Sequence, residues 1–130
     1  MSTQTRKYLF VLCPPGHGST ILLRLLSTSP NISTFLLDGG WAGEGQKFIR
    51  EKDPNYTSEN RWDPTYPLDM KKVYEAWNDR WDESKLIHCD KSPPTICRSK
   101  MFEDHFQKYG EVYFICMMRD PYMSPWTMPW

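Results

Sequence analysis

Apolar residues gather in four short runs, separated by polar stretches rich in Pro and Gly. KYLFVLC (7–13) is a continuous apolar run rich in β-formers, the pattern of a strand buried on both faces. From Ser19 onward Ile21, Leu22, Leu25 and Leu26 recur at helical spacing, and this helix stops before Pro30 because proline disfavours helical backbone in the residue ahead of it. NISTFLL (31–37) reads as a second strand. DGGWAGEGQ (38–46), with four glycines, breaks regular structure, and the polar stretch 52–67, with three prolines, reads as an excursion over the surface. Met70, Val73, Tyr74, Trp77 and Trp81 follow an i, i+3, i+4, i+7, i+11 pattern and predict an amphipathic helix over 68–82, with Trp77 and Trp81 in the core. KLIHC (85–89) is a third short strand, ended by DKSPP. Thr95 to Tyr109 reads as a helix with Phe102, Phe106 and Tyr109 on one side, and Gly110 stops it. EVYFICMM (111–118) is the most strand-like segment of all, terminated by RDPY.

Strands alternating with helices predict an α/β fold: a P-loop-like, mostly parallel sheet flanked by helices, formed by residues 1–130 as one domain without internal repeats. After the last predicted strand come twelve residues, RDPYMSPWTMPW, with three Pro and two Trp, and no helix among them to cover that strand. An open parallel sheet asks for helices on both faces. The expectation is therefore a C-terminally short domain, completed by a further half or by a partner chain.

Charge narrows the function classes. Sixteen basic and sixteen acidic residues cancel, so no global field argues for nucleic acid or a membrane surface, and any anion site must be local. The apolar stretch Tyr8–Cys13 is too short for a signal-peptide core or a membrane span, which reads as a soluble, cytoplasmic protein. Cys13, Cys89, Cys97 and Cys116 form no C-x-x-C pair and read as buried free thiols of a reducing compartment rather than as metal ligands or disulfides.

In an open α/β sheet, ligands bind beyond the carboxyl ends of the strands. Three segments leave predicted strand ends there: PPGHGST, DKSPP and RDPY. In the first, Gly16 and Gly18 let backbone N–H groups turn inward, Ser19 and Thr20 add hydroxyls, and the start of the following helix adds partial positive charge, a combination suited to phosphate. The ATPase fingerprint G-x-x-x-x-G-K-S/T is absent, since Ser19 follows Gly18 with no lysine between. An ordinary glycine-rich turn with Ser19 as helix cap explains the same residues.

Taken together, a strand, P-x-x-G-S-T and a Leu-rich helix ending in S-x-S-P resemble the 5′-phosphosulfate loop of the sulfotransferase family. The resemblance implies that Pro15, Gly16, His17, Gly18, Ser19 and Thr20 hold the 5′ end of 3′-phosphoadenosine 5′-phosphosulfate (PAPS). The last strand with RDP resembles the family's 3′-phosphate site, which implies Arg119 and, eight residues later, the hydroxyl of Thr127 as phosphate ligands. DKSPP resembles the E/D-K-S/T-P segment of carbohydrate and tyrosyl-protein sulfotransferases, whose lysine enters the active site; here it is Lys91. One departure stands out. Where the family has Lys or Arg two residues before the loop glycine, this chain has Gly16, so either the adjacent His17 or Lys91 takes over that charge, or the site is weakened.

Sulfuryl transfer needs in-line geometry, positive charge around the transferred group and a general base, and requires no metal if backbone donors and cations supply that charge. Glu44, in WAGEGQ, is the candidate base, with His17 as the rival; a solvated loop carboxylate is the plain alternative. His88 and His105 read as structural, while Trp41 and Trp62 lie in loops where they can touch a ligand. The implied reaction passes the sulfuryl group of PAPS to a hydroxyl or amine on a small molecule or carbohydrate. A non-catalytic nucleotide-binding remnant and a small-molecule kinase remain as alternatives.

Overall fold

The computed structural model describes residues 4–36 and 42–120. Strand β1 (Lys7–Leu12) lies inside a four-stranded sheet, between β3 (Ile87–Asp90) and the edge strand β4 (Glu111–Cys116), while β2 (Ile32–Ser33) forms the other edge. Every pairing is parallel, with Tyr8 opposite both His88 and Val112. The fold is thus α/β with an all-parallel sheet, as the alternation of elements predicts. Because all strands point the same way, the segments following β1, β3 and β4 leave from one edge.

The two-residue alternation of β1 sorts the core into two layers. Tyr8 and Phe10 face helices α2 (Gln46–Lys52), α3 (Met70–Asn78) and α4 (Ser99–Phe106), in a cluster with Phe35, Phe48, Trp77, Trp81 and Phe106. Leu9 and Val11 face α1 (Ser19–Leu26), in a smaller cluster with Leu23, Ile32 and Cys89. Trp77 and Trp81 are core residues, as their spacing predicts. Helices therefore cover both faces. The outer flank of β4 is less covered: Tyr113 and Met118 are exposed.

Several boundaries differ from the sequence reading. Of the strand predicted over 31–37, whose last residue lies outside the described residues, Ile32 and Ser33 pair, and beyond them Phe35 turns into the main core. The helix predicted from Thr95 begins at Ser99, because Pro93 and Pro94 open a tighter 3₁₀ segment, Pro93–Arg98. Gln46, read as part of the glycine-rich break, instead opens α2, whose Phe48 and Ile49 are buried. The polar excursion is pinned to the body rather than lying loosely on it. Tyr56 is buried within it, and the buried Arg98 donates to the carbonyls of Arg61 (2.6 Å), Asn60 (3.4 Å) and Asp63. Gly18, in a left-handed conformation (φ 91°), occupies the capping position of α1, and Ser19 is its first residue.

All four cysteines are free, but only Cys13 and Cys89 are buried; Cys97 is half-buried and Cys116 exposed, which corrects the expectation of four buried thiols. Cys116 closes an edge strand, where alternate residues face outward. Among the described residues no helix is long and apolar enough to cross a membrane.

Candidate active site

The three strand-end segments meet at a cleft of about 410 Å³. Pro15, Gly16, Gly18, Ser19, Thr20 and Ile21 line it from the first segment, Lys91 and Pro93 from the second, and Arg119 from the third. A fourth contribution, Ala42 and Glu44, comes from the glycine-rich stretch ahead of α2. Thr127 and Trp41 lie outside the described residues. Trp62 sits in the 3₁₀ turn Asn60–Trp62 with the Arg61 guanidinium above its ring, away from the cleft lining.

The first segment has the backbone its glycines permit. Gly16 (φ 78°) and Gly18 (φ 91°) both occupy the left-handed region, where a side chain is strained. This turn leads into the N-terminus of α1, whose first backbone N–H groups have no partner within the helix.

Lys91 is the organising charge of the cleft. Its side chain is 2% exposed, and its Nζ donates to Thr20 Oγ1 and to Glu44 Oε1, both at 3.2 Å. An ammonium has three donors, and these contacts engage two. The second Glu44 oxygen accepts from the Gln46 side-chain amide, whose oxygen in turn accepts from Arg61 (3.1 Å). Glu44 and Lys91, singled out separately in the sequence, are thus a single ion pair.

Beneath that pair is a group the sequence reading left without a role. Asp90, at the end of β3, is buried; its Oδ1 accepts from the Gly45 N–H (2.8 Å) and the Ser92 hydroxyl (3.1 Å), while its Oδ2 has no partner among the described residues. Burial, above all, pushes its carboxyl up to about 7. The Gly45 carbonyl accepts from Trp77 Nε1 (2.8 Å), and the Gln46 N–H donates to Ser92 Oγ (3.0 Å). Gly45 is therefore gripped on both sides, which sets the direction in which Glu44 leaves the chain. The residues were visible within DKSPP and WAGEGQ, but nothing local in either segment signals that they bond to each other.

His17 stands apart from the cleft lining. The residue is largely buried and its Nδ1 accepts the Arg119 backbone N–H at 3.0 Å, so that nitrogen is occupied. Arg119 is exposed, with Nη1 3.5 Å from the Gly16 carbonyl. His88 is fully buried between Tyr8 and Trp81, with Nε2 2.9 Å from Arg6 Nη1 and 3.1 Å from the Asp82 carbonyl oxygen.

No family model, curated protein or solved structure matches the chain.

Proposed function

We propose that the cleft binds PAPS and that the protein transfers its sulfuryl group to a hydroxyl or amine acceptor. The observation that carries this reading is the meeting of the Gly16–Thr20 turn, Lys91, Arg119 and Glu44 around one cleft of about 410 Å³, within the range of small-molecule sites. Backbone N–H groups at the start of α1, with the Ser19 and Thr20 hydroxyls, receive the 5′-phosphosulfate. Arg119 pairs with the 3′-phosphate through its planar fork.

In the transfer, the acceptor oxygen forms a bond to sulfur while the bond from sulfur to the bridging phosphate oxygen breaks in line. The electron pair of that bond stays on the departing phosphate, and the acceptor's proton goes to the Glu44 carboxylate. Lys91 Nζ, which donates to Thr20 and Glu44, offers its third donor to the bridging oxygen as negative charge develops there. The acceptor is a small molecule or carbohydrate. The free thiols Cys13 and Cys89 fit a reducing, cytoplasmic compartment, and the exposed Tyr113 and Met118 fit cover by a partner chain or further domain.

Calorimetric titration with 3′-phosphoadenosine 5′-phosphate, in the absence of Mg²⁺, tests the reading. Saturable binding is expected, weakened about tenfold or more in Arg119→Ala, as follows from losing a charge-assisted contact of about 1.5–3 kcal/mol. A folded chain that binds no nucleotide overturns it. Binding only with Mg²⁺ and a nucleoside triphosphate favours the kinase alternative instead.

A further inference from the structure

The parallel ladder between β1 and β4 carries a register that outlasts the strands. Glu111 N–H donates to the Arg6 carbonyl and Met117 N–H to the Leu12 carbonyl, both at 2.9 Å. The next inward-facing amide in this series belongs to Arg119, and its ladder partner would be Pro14. But the chain has turned away there through two prolines, and the Pro14 carbonyl accepts from the Cys13 thiol instead (3.3 Å). The acceptor that Arg119 N–H meets is a side chain: Nδ1 of His17, at 3.0 Å.

We infer that His17 is a positioning residue that replaces the missing rung of the ladder and so determines where the segment leaving β4 holds the Arg119 guanidinium over the cleft. Three features support this. His17 is 7% exposed, so the acceptor side of the bond is largely withdrawn from water. It sits between Gly16 and Gly18, whose left-handed backbone (φ 78° and 91°) makes the sharp turn that brings the ring to the Arg119 N–H. The Arg119 side chain leans over the same turn, toward the Gly16 carbonyl. An Nδ1 that accepts a backbone N–H cannot also take a proton from an acceptor hydroxyl, which separates this role from that of a general base. It also accounts for Gly16: the backbone that aims His17 at Arg119 strains any side chain placed at residue 16.

The consequence for nucleotide binding rests on the reading given under Proposed function; the bond itself does not. Three variants separate the two. In His17→Asn the side-chain oxygen occupies the place of Nδ1; in His17→Gln the acceptor lies one bond too far; in His17→Ala there is none. The first readout is the Arg119 amide in the ligand-free chain, by NMR hydrogen exchange. Protection is expected in the wild type and in His17→Asn, and a loss of about tenfold or more in the other two, the scale of one hydrogen bond. The second readout is affinity for 3′-phosphoadenosine 5′-phosphate, expected to follow the same order. Equal protection in all four chains, or its loss in His17→Asn as in His17→Gln, overturns the inference. If the wild type binds no nucleotide while the amide pattern holds, the positioning bond stands and the cofactor reading falls. Should His17→Ala fail to fold, the Asn–Gln comparison alone decides.

Discussion

Lys91 Nζ lies 3.2 Å from Glu44 Oε1, joining an almost fully buried ammonium to a carboxylate whose side chain is 24% exposed. The pair is asymmetric, and so is the expected response to breaking it. Glu44→Ala leaves a buried cation with the Thr20 hydroxyl as its one partner among the described residues, and unfolding in denaturant is expected to show a loss of about 1–3 kcal/mol, the partial exposure of Glu44 softening the full cost. Lys91→Met removes the charge together with its need for a partner and is expected to stay within about 1 kcal/mol of the wild type. If the proposed reaction holds, both changes abolish sulfuryl transfer, and Glu44→Ala alone also costs stability.

Asp90 links stability to pH. Its carboxyl titrates at about 7 in the fold, raised chiefly by burial, against about 3.9 in an unfolded chain. Between these values the folded state holds an extra proton, so its contribution is complete below about pH 4 and is lost as pH rises through 7. Asp90→Asn keeps an oxygen for Gly45 and Ser92 and has no such slope. The variant's stability relative to wild type should increase from pH 4 to pH 8, by on the order of 2–4 kcal/mol, as read from urea midpoints at each pH.

His88 has the opposite sign. Burial first, and the Arg6 guanidinium second, lower its pKa to about 4, below the usual value near 6.5. The unfolded chain takes up a proton first on acidification, so this contribution is complete above about pH 6.5 and is lost as pH falls through 4. Its slope opposes that of Asp90 over much of the same window, and the wild type should show a shallow net dependence there. His88→Gln removes one slope and exposes the other, so that its stability falls steeply with rising pH where the wild type's does not.

Gly45 and Gly18 require glycine for different reasons. A Cβ on Gly45 would lie 2.7 Å from Asp90 Oδ1 and 2.7 Å from the Trp77 ring, both held by their own hydrogen bonds. Gly45→Ala is expected to cost about 1–3 kcal/mol through overpacking and to displace Glu44 with it. A Cβ on Gly18 would meet nothing within 4 Å, so Gly18→Ala carries only the strain of φ 91°, about 1–2 kcal/mol. Thermal unfolding of both variants, with crystallography of Gly45→Ala, checks the contrast.

Local pattern alone was sufficient for the α/β class, for β1 and β4 as strands, for the core face of α3 with Trp77 and Trp81, and for the three segments that line one edge of the sheet. Periodicity and turn chemistry act over a few residues, so a single segment carries them. The tertiary structure decided the rest. It shortened β2 by drawing Phe35 into the core, began α2 at Gln46, paired Glu44 with Lys91, buried Asp90 beneath Gly45, and bonded His17 to the Arg119 backbone N–H. Each of these joins groups far apart in the chain, and a polar side chain looks the same in sequence whether water or a distant partner satisfies it. Only the packing of the elements removes the water and makes the partner obligatory.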